Sequence, residues 1–212
     1  MSGTEKIGEM LSSHIPKDFL LSVDARFHAA LDQATAQGQS FAPGHRSNVT
    51  GVCRHFKLNE ALDDAFTEFD ITHRPLRGNA IVAGDFGPVA IARFHKNKGP
   101  WNNSRRSAGK LGLCRKNNVA EYLVQPDFLR EENAALTELT CFLVTEHDGR
   151  PDESGEIYLV VPDTDMDLKN LLFQESLTQF MQRYQKVQAL ADRAVPTLKP
   201  GVKRQQPRED RS

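Results

Sequence analysis

The sequence is poor in the features that mark disulfide-linked, secreted or membrane-spanning proteins. It has only three cysteines and no Cys-x-x-Cys pair, which argues against a disulfide framework and against a zinc site built from thiolates. No apolar run approaches the length that crosses a bilayer, and the N-terminal segment lacks the basic start and apolar core of a signal peptide. We therefore expect a cytoplasmic protein that does not contact a membrane.

The motifs that would identify a reaction are also missing. The sequence contains no glycine-rich phosphate loop ending in Gly-Lys-Ser/Thr, no dinucleotide glycine fingerprint, no His-Glu-x-x-His pair and no Gly-x-Ser-x-Gly elbow. A metal-dependent nuclease needs clustered carboxylates, yet Asp85 is followed by no second acid before Glu121. We therefore expect neither a metal nor a cofactor, and the sequence leaves open whether the protein is an enzyme.

One long run lacks negative charge altogether. Between Phe86 and Ala120 there is no aspartate or glutamate, although 26% of the chain is charged and its net charge is −1. The lysines and arginines of this run are Arg93, Lys96, Lys98, Arg105, Arg106, Lys110, Arg115 and Lys116. Phosphate binding accounts for such a run, because Lys and Arg neutralise phosphates and release their counterions. The alternatives are a solvated loop whose cations pair with the acidic helix predicted at residues 60–70, and a surface for an acidic protein partner.

Other residues near this run suit a nucleic-acid surface. Glycine, asparagine and serine are abundant between the cations, and Trp101 offers a face on which a base can stack, as would Phe94 if it were exposed. His95 adds a further polar group, and a second acid-free patch at residues 45–57 contains Arg46 and Arg54. We therefore predict that these two patches bind the phosphate backbone of DNA or RNA with little sequence preference.

Two other functions stay open at this point. A metal-independent nuclease would use His55 or His95 for proton transfer beside the surrounding cations, but no pair of histidines is singled out by spacing. A protein-interaction or regulatory module, or a homo-oligomer, would use the apolar stripe of a C-terminal helix. Burial of that stripe against the protein's own sheet explains the same pattern.

The periodicity predicts an α+β fold with N-terminal helices, a mostly antiparallel sheet and a long C-terminal helix packed on the sheet. Helices are predicted over 18–38 and 58–70, and the basic run is predicted as a loop with at most a short helix. The C-terminal helix is predicted to begin after a cap at Asp163, Thr164 or Asp165 and to end at residue 194. The predicted strands are Asn79–Ala83, Val89–Phe94, a short one within 119–126, Leu139–Thr145 and Glu156–Val161.

The predicted domain organisation is simple. Residues 1–195 are expected to form a single domain, with a helical part over about 1–70 and the sheet and long helix over about 79–195. Residues 196–212 are polar and contain proline, which predicts a disordered tail.

Overall fold

The computed structural model describes residues 2–100, 107–125, 135–147 and 155–191, and it has the predicted α+β class. Three helices precede the sheet: α1 (Gly3–His14), α2 (Lys17–Gln39) and α3 (Arg46–Glu68). The remaining elements are β1 (Thr72–His73), β2 (Ala83–Phe86), β3 (Val89–Asn97), α4 (Ala108–Cys114), a 3₁₀ turn (Arg115–Asn117), α5 (Asn118–Val124), β4 (Leu139–His147), β5 (Glu156–Val161), β6 (Phe173–Ser176) and α6 (Leu177–Ala191).

The six strands form one mixed sheet whose spatial order follows the chain order. All neighbouring strands pair antiparallel except the central strands β3 and β4, which run parallel in register from Val89↔Leu139 to Asn97↔His147. The predicted predominance of antiparallel pairing is therefore confirmed. Parallel neighbours need a crossover connection, and α4, the 3₁₀ turn and α5 belong to it.

Helices cover one face of the sheet and bury the larger part of the core there. Apolar residues of α1, α2, α3 and α6 pack against alternate residues of the strands, and Phe19 stacks on Phe66 with ring centroids 5.6 Å apart. A smaller apolar cluster on the opposite face contains Phe94, Phe142 and Leu113. The apolar residues of β3 and β4 are buried on both faces, as is usual for a central parallel pair.

The helical hairpin of α2 and α3 determines where the polar side chains of α3 lie. Gly38 allows the close approach of the two helices, because a Cβ atom at this position would lie 1.8 Å from Thr50 Oγ1. The C-terminal half of α3 buries Leu58 and Leu62 in the core. The sequence prediction located that half and left the preceding residues as a loop that becomes helical near residue 49.

The structure does not support one long helix that begins at residues 163–165. Met166 has a positive φ of 57° and ends any helical path there, and the apolar residues that follow are divided between the two faces of the sheet. Leu168 packs in the smaller cluster, whereas Phe173 and Leu177 pack in the larger one. The chain therefore forms edge strand β6 before α6 begins at Leu177.

One other element prediction is wrong, and three of the remaining four predicted strands differ in their bounds. Residues 118–124 form a helix rather than a strand, whereas Ala108–Cys114 is a short helix of the kind the prediction allowed within the basic run. The first hairpin strand lies at Ala83–Phe86 instead of 79–83, because the turn falls at Gly87 with its positive φ of 62°. The strand at 156–161 is confirmed, and that at 139–145 continues to residue 147.

Asn117 connects the crossover to the sheet and is fully buried. Its amide donates to the carbonyl oxygens of Thr140 (3.1 Å) and Pro162 (2.8 Å), and its Oδ1 accepts from the Thr140 amide (2.7 Å). The Asn117→Ala change leaves these backbone groups without partners, so we expect the free energy of unfolding to fall by about 2 kcal/mol. Urea denaturation measures this loss, and the exposed Asn118→Ala is the control that should change stability little. An unchanged midpoint for Asn117→Ala would contradict this role.

The remaining predictions concern membrane-spanning helices and the division of the chain into a domain and a tail. Among the described residues, none of the helices is both long and apolar enough to span a bilayer. The single domain over 1–195 stays a prediction, and the polar tail at 196–212 lies outside the described residues.

Candidate anion-binding site

The carboxyl ends of β3 and β4 bring polar side chains together beneath α3. Arg93 and His95 follow Ile91 at alternate positions, so they lie on the helix-covered face of the sheet. In the parallel register His95 lies opposite Thr145, and Asn97 lies opposite the buried His147. Carboxyl ends of parallel strands are a common place for ligand sites.

Arg93 is the most deeply buried charge at this end of the sheet, with 4% of its surface exposed. Its Nε donates to Asn59 Oδ1 (2.8 Å), and its Nη2 donates to the carbonyl oxygen of His55 (2.5 Å). Nη1 is also buried, and it has no hydrogen-bond partner in the described residues. Burial lowers the pKa of this guanidinium from 12.5 to about 9, so it is charged at pH 7.

Arg54 and Lys110 are two further half-buried cations whose charges act on the same groups as Arg93: Arg54 acts on His95 and Lys110 acts on His55, although Lys110 lies over Phe94 on the opposite face of the sheet. Arg54 has a buried Nε without a partner in the described residues, and burial lowers the pKa of its guanidinium. The pKa of Lys110 is lowered by burial and then by Arg93, and its Nζ lies 4.9 Å from the centroid of the Phe94 ring. We call Arg54, Arg93 and Lys110 the cationic cluster. The ion pairs within the described residues involve other cations.

Two histidines border the cationic cluster and stay neutral at pH 7. Burial, followed by the charges of Arg54 and Arg93, lowers the pKa of His95 to about 4, and its Nδ1 lies 2.8 Å from Thr145 Oγ1. Burial also lowers the pKa of His55, with smaller contributions from Arg93 and Lys110. A positive field that opposes protonation of both imidazoles favours an anion at the same place.

The arrangement is suited to binding an oxyanion. Arg93 Nη1 and Arg54 Nε are buried and have no hydrogen-bond partner among the described residues, and hydrogen bonds from guanidinium groups to anions are strong where water is excluded. In the described ranges, no group of three or more His, Cys, Asp and Glu could hold a metal ion. The neutral His55 and His95 supply no protonated general acid at pH 7, and the histidine-dependent nuclease stays a hypothesis.

The structure separates the predicted binding residues into two groups. Arg93 and His95 lie on the helix-covered face with Arg54 nearby on α3, and Lys110 lies over Phe94 on the opposite face, where its charge still lowers the pKa of His55. Lys96 points to the opposite face and pairs with Glu146 at 3.1 Å.

The remaining predicted cations lie away from the cationic cluster or outside the described ranges. Lys116 Nζ lies 3.8 Å from Asp85 Oδ1, and the Nε of Arg46 donates to the carbonyl oxygen of Phe41 (2.9 Å). Lys98 and Arg115 are exposed to solvent. Trp101, Arg105 and Arg106 lie outside the described residues.

The structure buries one predicted binding residue, Phe94, and adds one that was not predicted, Asn59. Phe94 is only 7% exposed and packs in the smaller apolar cluster beneath Lys110, so it offers no face for a base. Asn59, which holds Arg93, was not among the predicted site residues. Asn59 follows His55 by four residues, so both lie on one side of α3. The sequence could not show that Arg93, which is 34 residues away on β3, contacts Asn59.

The comparisons with known proteins add no homologue to this picture. No protein-family model, curated protein sequence or solved structure matches the chain. The function is therefore inferred from the geometry and charge of the cationic cluster.

Proposed function

We propose that the protein binds nucleic acid through the phosphate backbone, with one phosphate received by the cationic cluster. The observation that carries the proposal is the burial of Arg93 without a described carboxylate partner and with Nη1 unpaired in the described residues. Burying an uncompensated charge is costly, so its presence needs a reason. A phosphate provides both the negative charge and the acceptor oxygens that Arg93 lacks.

The free-energy cost of keeping the buried Arg93 charged is a substantial fraction of the stability of a typical domain. A pKa lowered from 12.5 to about 9 corresponds to about 5 kcal/mol against the charged form of Arg93. A bound anion would offset much of this cost, whereas a purely structural role would be served equally well by an uncharged side chain. Perturbed charges of this kind are concentrated at functional sites.

A polyanion suits the rest of the chain better than a small isolated anion does. Arg46 lies on the first turn of α3, two turns before Arg54, and the exposed Lys98 follows the end of β3. These cations supply further charges for successive phosphates of a strand. Contacts of this type are independent of sequence and weaken as salt is added.

Two lysines on the same segment provide a matched test. Lys110 belongs to the cationic cluster, whereas Lys116 lies near Asp85. We expect Lys110→Gln to weaken binding of a labelled single-stranded oligonucleotide about tenfold and to reduce the log–log salt slope by about 0.7. Lys116→Gln should change the affinity less than about twofold, since its charge is already offset.

Fluorescence anisotropy at several salt concentrations measures both quantities. Circular dichroism of each variant checks that the fold is retained. Equal losses for Lys110→Gln and Lys116→Gln would show that charge anywhere on the segment suffices, which contradicts a site at the cationic cluster. The interaction module proposed from the C-terminal helix stays a prediction, but Leu177 and Phe180 of its stripe are buried in the core.

A further inference from the structure

An exposed apolar surface continues directly from the cationic cluster along α3. Val52, His55, Phe56 and Asn59 have the spacing i, i+3, i+4 and i+7, which places them side by side on one face of the helix. His55 and Asn59 contact Arg93 at one end of this stripe. At the other end, 43% of Phe56 and 57% of Val52 are exposed.

The two kinds of surface in the stripe match the two parts of a nucleotide. The cationic cluster offers positive charge and N–H donors to a phosphate, and the Phe56 ring offers a flat apolar face to a base. The His55 ring lies between them, with its centroid 5.4 Å from that of Phe56. In a duplex the faces of the bases are covered by their neighbours, whereas in a single strand they are free to stack on a side chain.

We propose that Phe56 stacks on a base of single-stranded nucleic acid whose phosphate lies at the cationic cluster. The inference rests on the proposed function and specifies its ligand as a strand with unstacked bases. The charge of the site favours this ligand, because no described ion pair offsets Arg54, Arg93 or Lys110, and the exposed Lys98 follows the end of β3. An acidic protein segment is the competing occupant, and the experiment below distinguishes the two.

The test compares Phe56→Ala with Phe41→Ala. Both phenylalanines are exposed to a similar degree, at 43% and 46%, but Phe41 precedes α3 and lies outside the stripe. Phe56→Ala should weaken binding of a labelled single-stranded oligonucleotide by about 5- to 150-fold, the range that loss of one stacked base produces. Phe41→Ala should leave the affinity within about twofold of wild type.

An abasic strand of the same length and the corresponding duplex complete the design, with anisotropy as the readout. Wild-type protein should bind the abasic strand more weakly than the base-containing strand, and Phe56→Ala should bind the abasic strand and the duplex as wild type does. These results would support stacking, since the substitution would matter only where a free base is present.

Four outcomes would overturn the inference, and they separate it from the proposed function. If Phe56→Ala weakens base-containing and abasic strands equally, or leaves both unchanged while Lys110→Gln weakens them, stacking is wrong and phosphate binding stands. If wild-type protein binds no oligonucleotide at low salt, both proposals fail. Binding of an acidic peptide in place of every oligonucleotide would assign the stripe to a protein partner.

Discussion

Replacing Arg93 with methionine is expected to lower the affinity for single-stranded nucleic acid about 100-fold while changing the free energy of unfolding by less than about 1 kcal/mol. Methionine fills a similar volume without carrying a charge into the interior. Removal of the desolvated guanidinium is favourable, whereas the Asn59 side chain and the His55 carbonyl each lose a donor. These two effects on the free energy of unfolding oppose one another. Phosphate binding, in contrast, loses both the charge and the hydrogen-bond donors of the Arg93 guanidinium.

Arg183 is the matched control, because its guanidinium has the carboxylates that Arg93 lacks. Its Nε donates to Glu175 Oε2 (2.9 Å), and its Nη1 donates to Glu5 Oε1 (3.1 Å), which joins α6 to α1 and β6. Arg183→Met should therefore lower the free energy of unfolding by about 2 kcal/mol and leave the affinity for nucleic acid unchanged.

Urea denaturation and anisotropy on the same two variants measure stability and affinity. The expected pattern is reciprocal, with Arg93→Met losing affinity and Arg183→Met losing stability. A strongly destabilised Arg93→Met protein with wild-type affinity would show that Arg93 serves the fold, and the site would have to be sought elsewhere.

The stability of the wild-type protein should fall as the pH falls from 6.5 to 4, and His95 should account for about 3 kcal/mol of that loss. The folded protein holds the pKa of His95 at about 4, below its ordinary value of 6.5. Between these values the unfolded chain takes up a proton that the native state does not, so acidification favours unfolding. Above pH 6.5 the imidazole is neutral in both states and this contribution is fully present.

Comparison with His95→Gln isolates this contribution, because the carboxylates titrate in both proteins. The stability advantage of wild type over the variant should shrink by about 3 kcal/mol between pH 7 and pH 4, and urea denaturation at several pH values measures it. Parallel stability profiles for the two proteins would contradict the burial of His95 against Arg54 and Arg93.

Strong local patterns in the sequence predicted much of the fold correctly. The strand at Glu156–Val161 is bounded by a polar segment and Pro162, and the same kind of pattern located Leu139 as the start of a strand. The C-terminal stripe misled the prediction because its spacing fits a helix, whereas the structure distributes Leu168 and Phe173 to opposite faces of the sheet. Periodicity cannot reveal such a division, since it depends on which surfaces are available in the fold.

The sequence predicted that the candidate site would be positively charged, but it did not predict which cations would form it. The acid-free run identified Arg93 and Lys110, yet it identified Lys96 and Lys116 equally well. The carboxylates near these two lysines, Glu146 and Asp85, are distant in sequence and meet them only in the folded sheet. Which cations stay uncompensated is therefore decided by tertiary structure.

The most direct test of the cationic cluster as a phosphate site is the salt dependence of wild-type binding to a labelled single-stranded oligonucleotide, followed by fluorescence anisotropy. With the cationic cluster neutralising one phosphate and Arg46 and Lys98 each neutralising a neighbouring one, the logarithm of the dissociation constant should rise with the logarithm of the salt concentration with a slope of about 2 or steeper. The absence of binding at low salt, or an affinity that does not change with salt, would contradict the account.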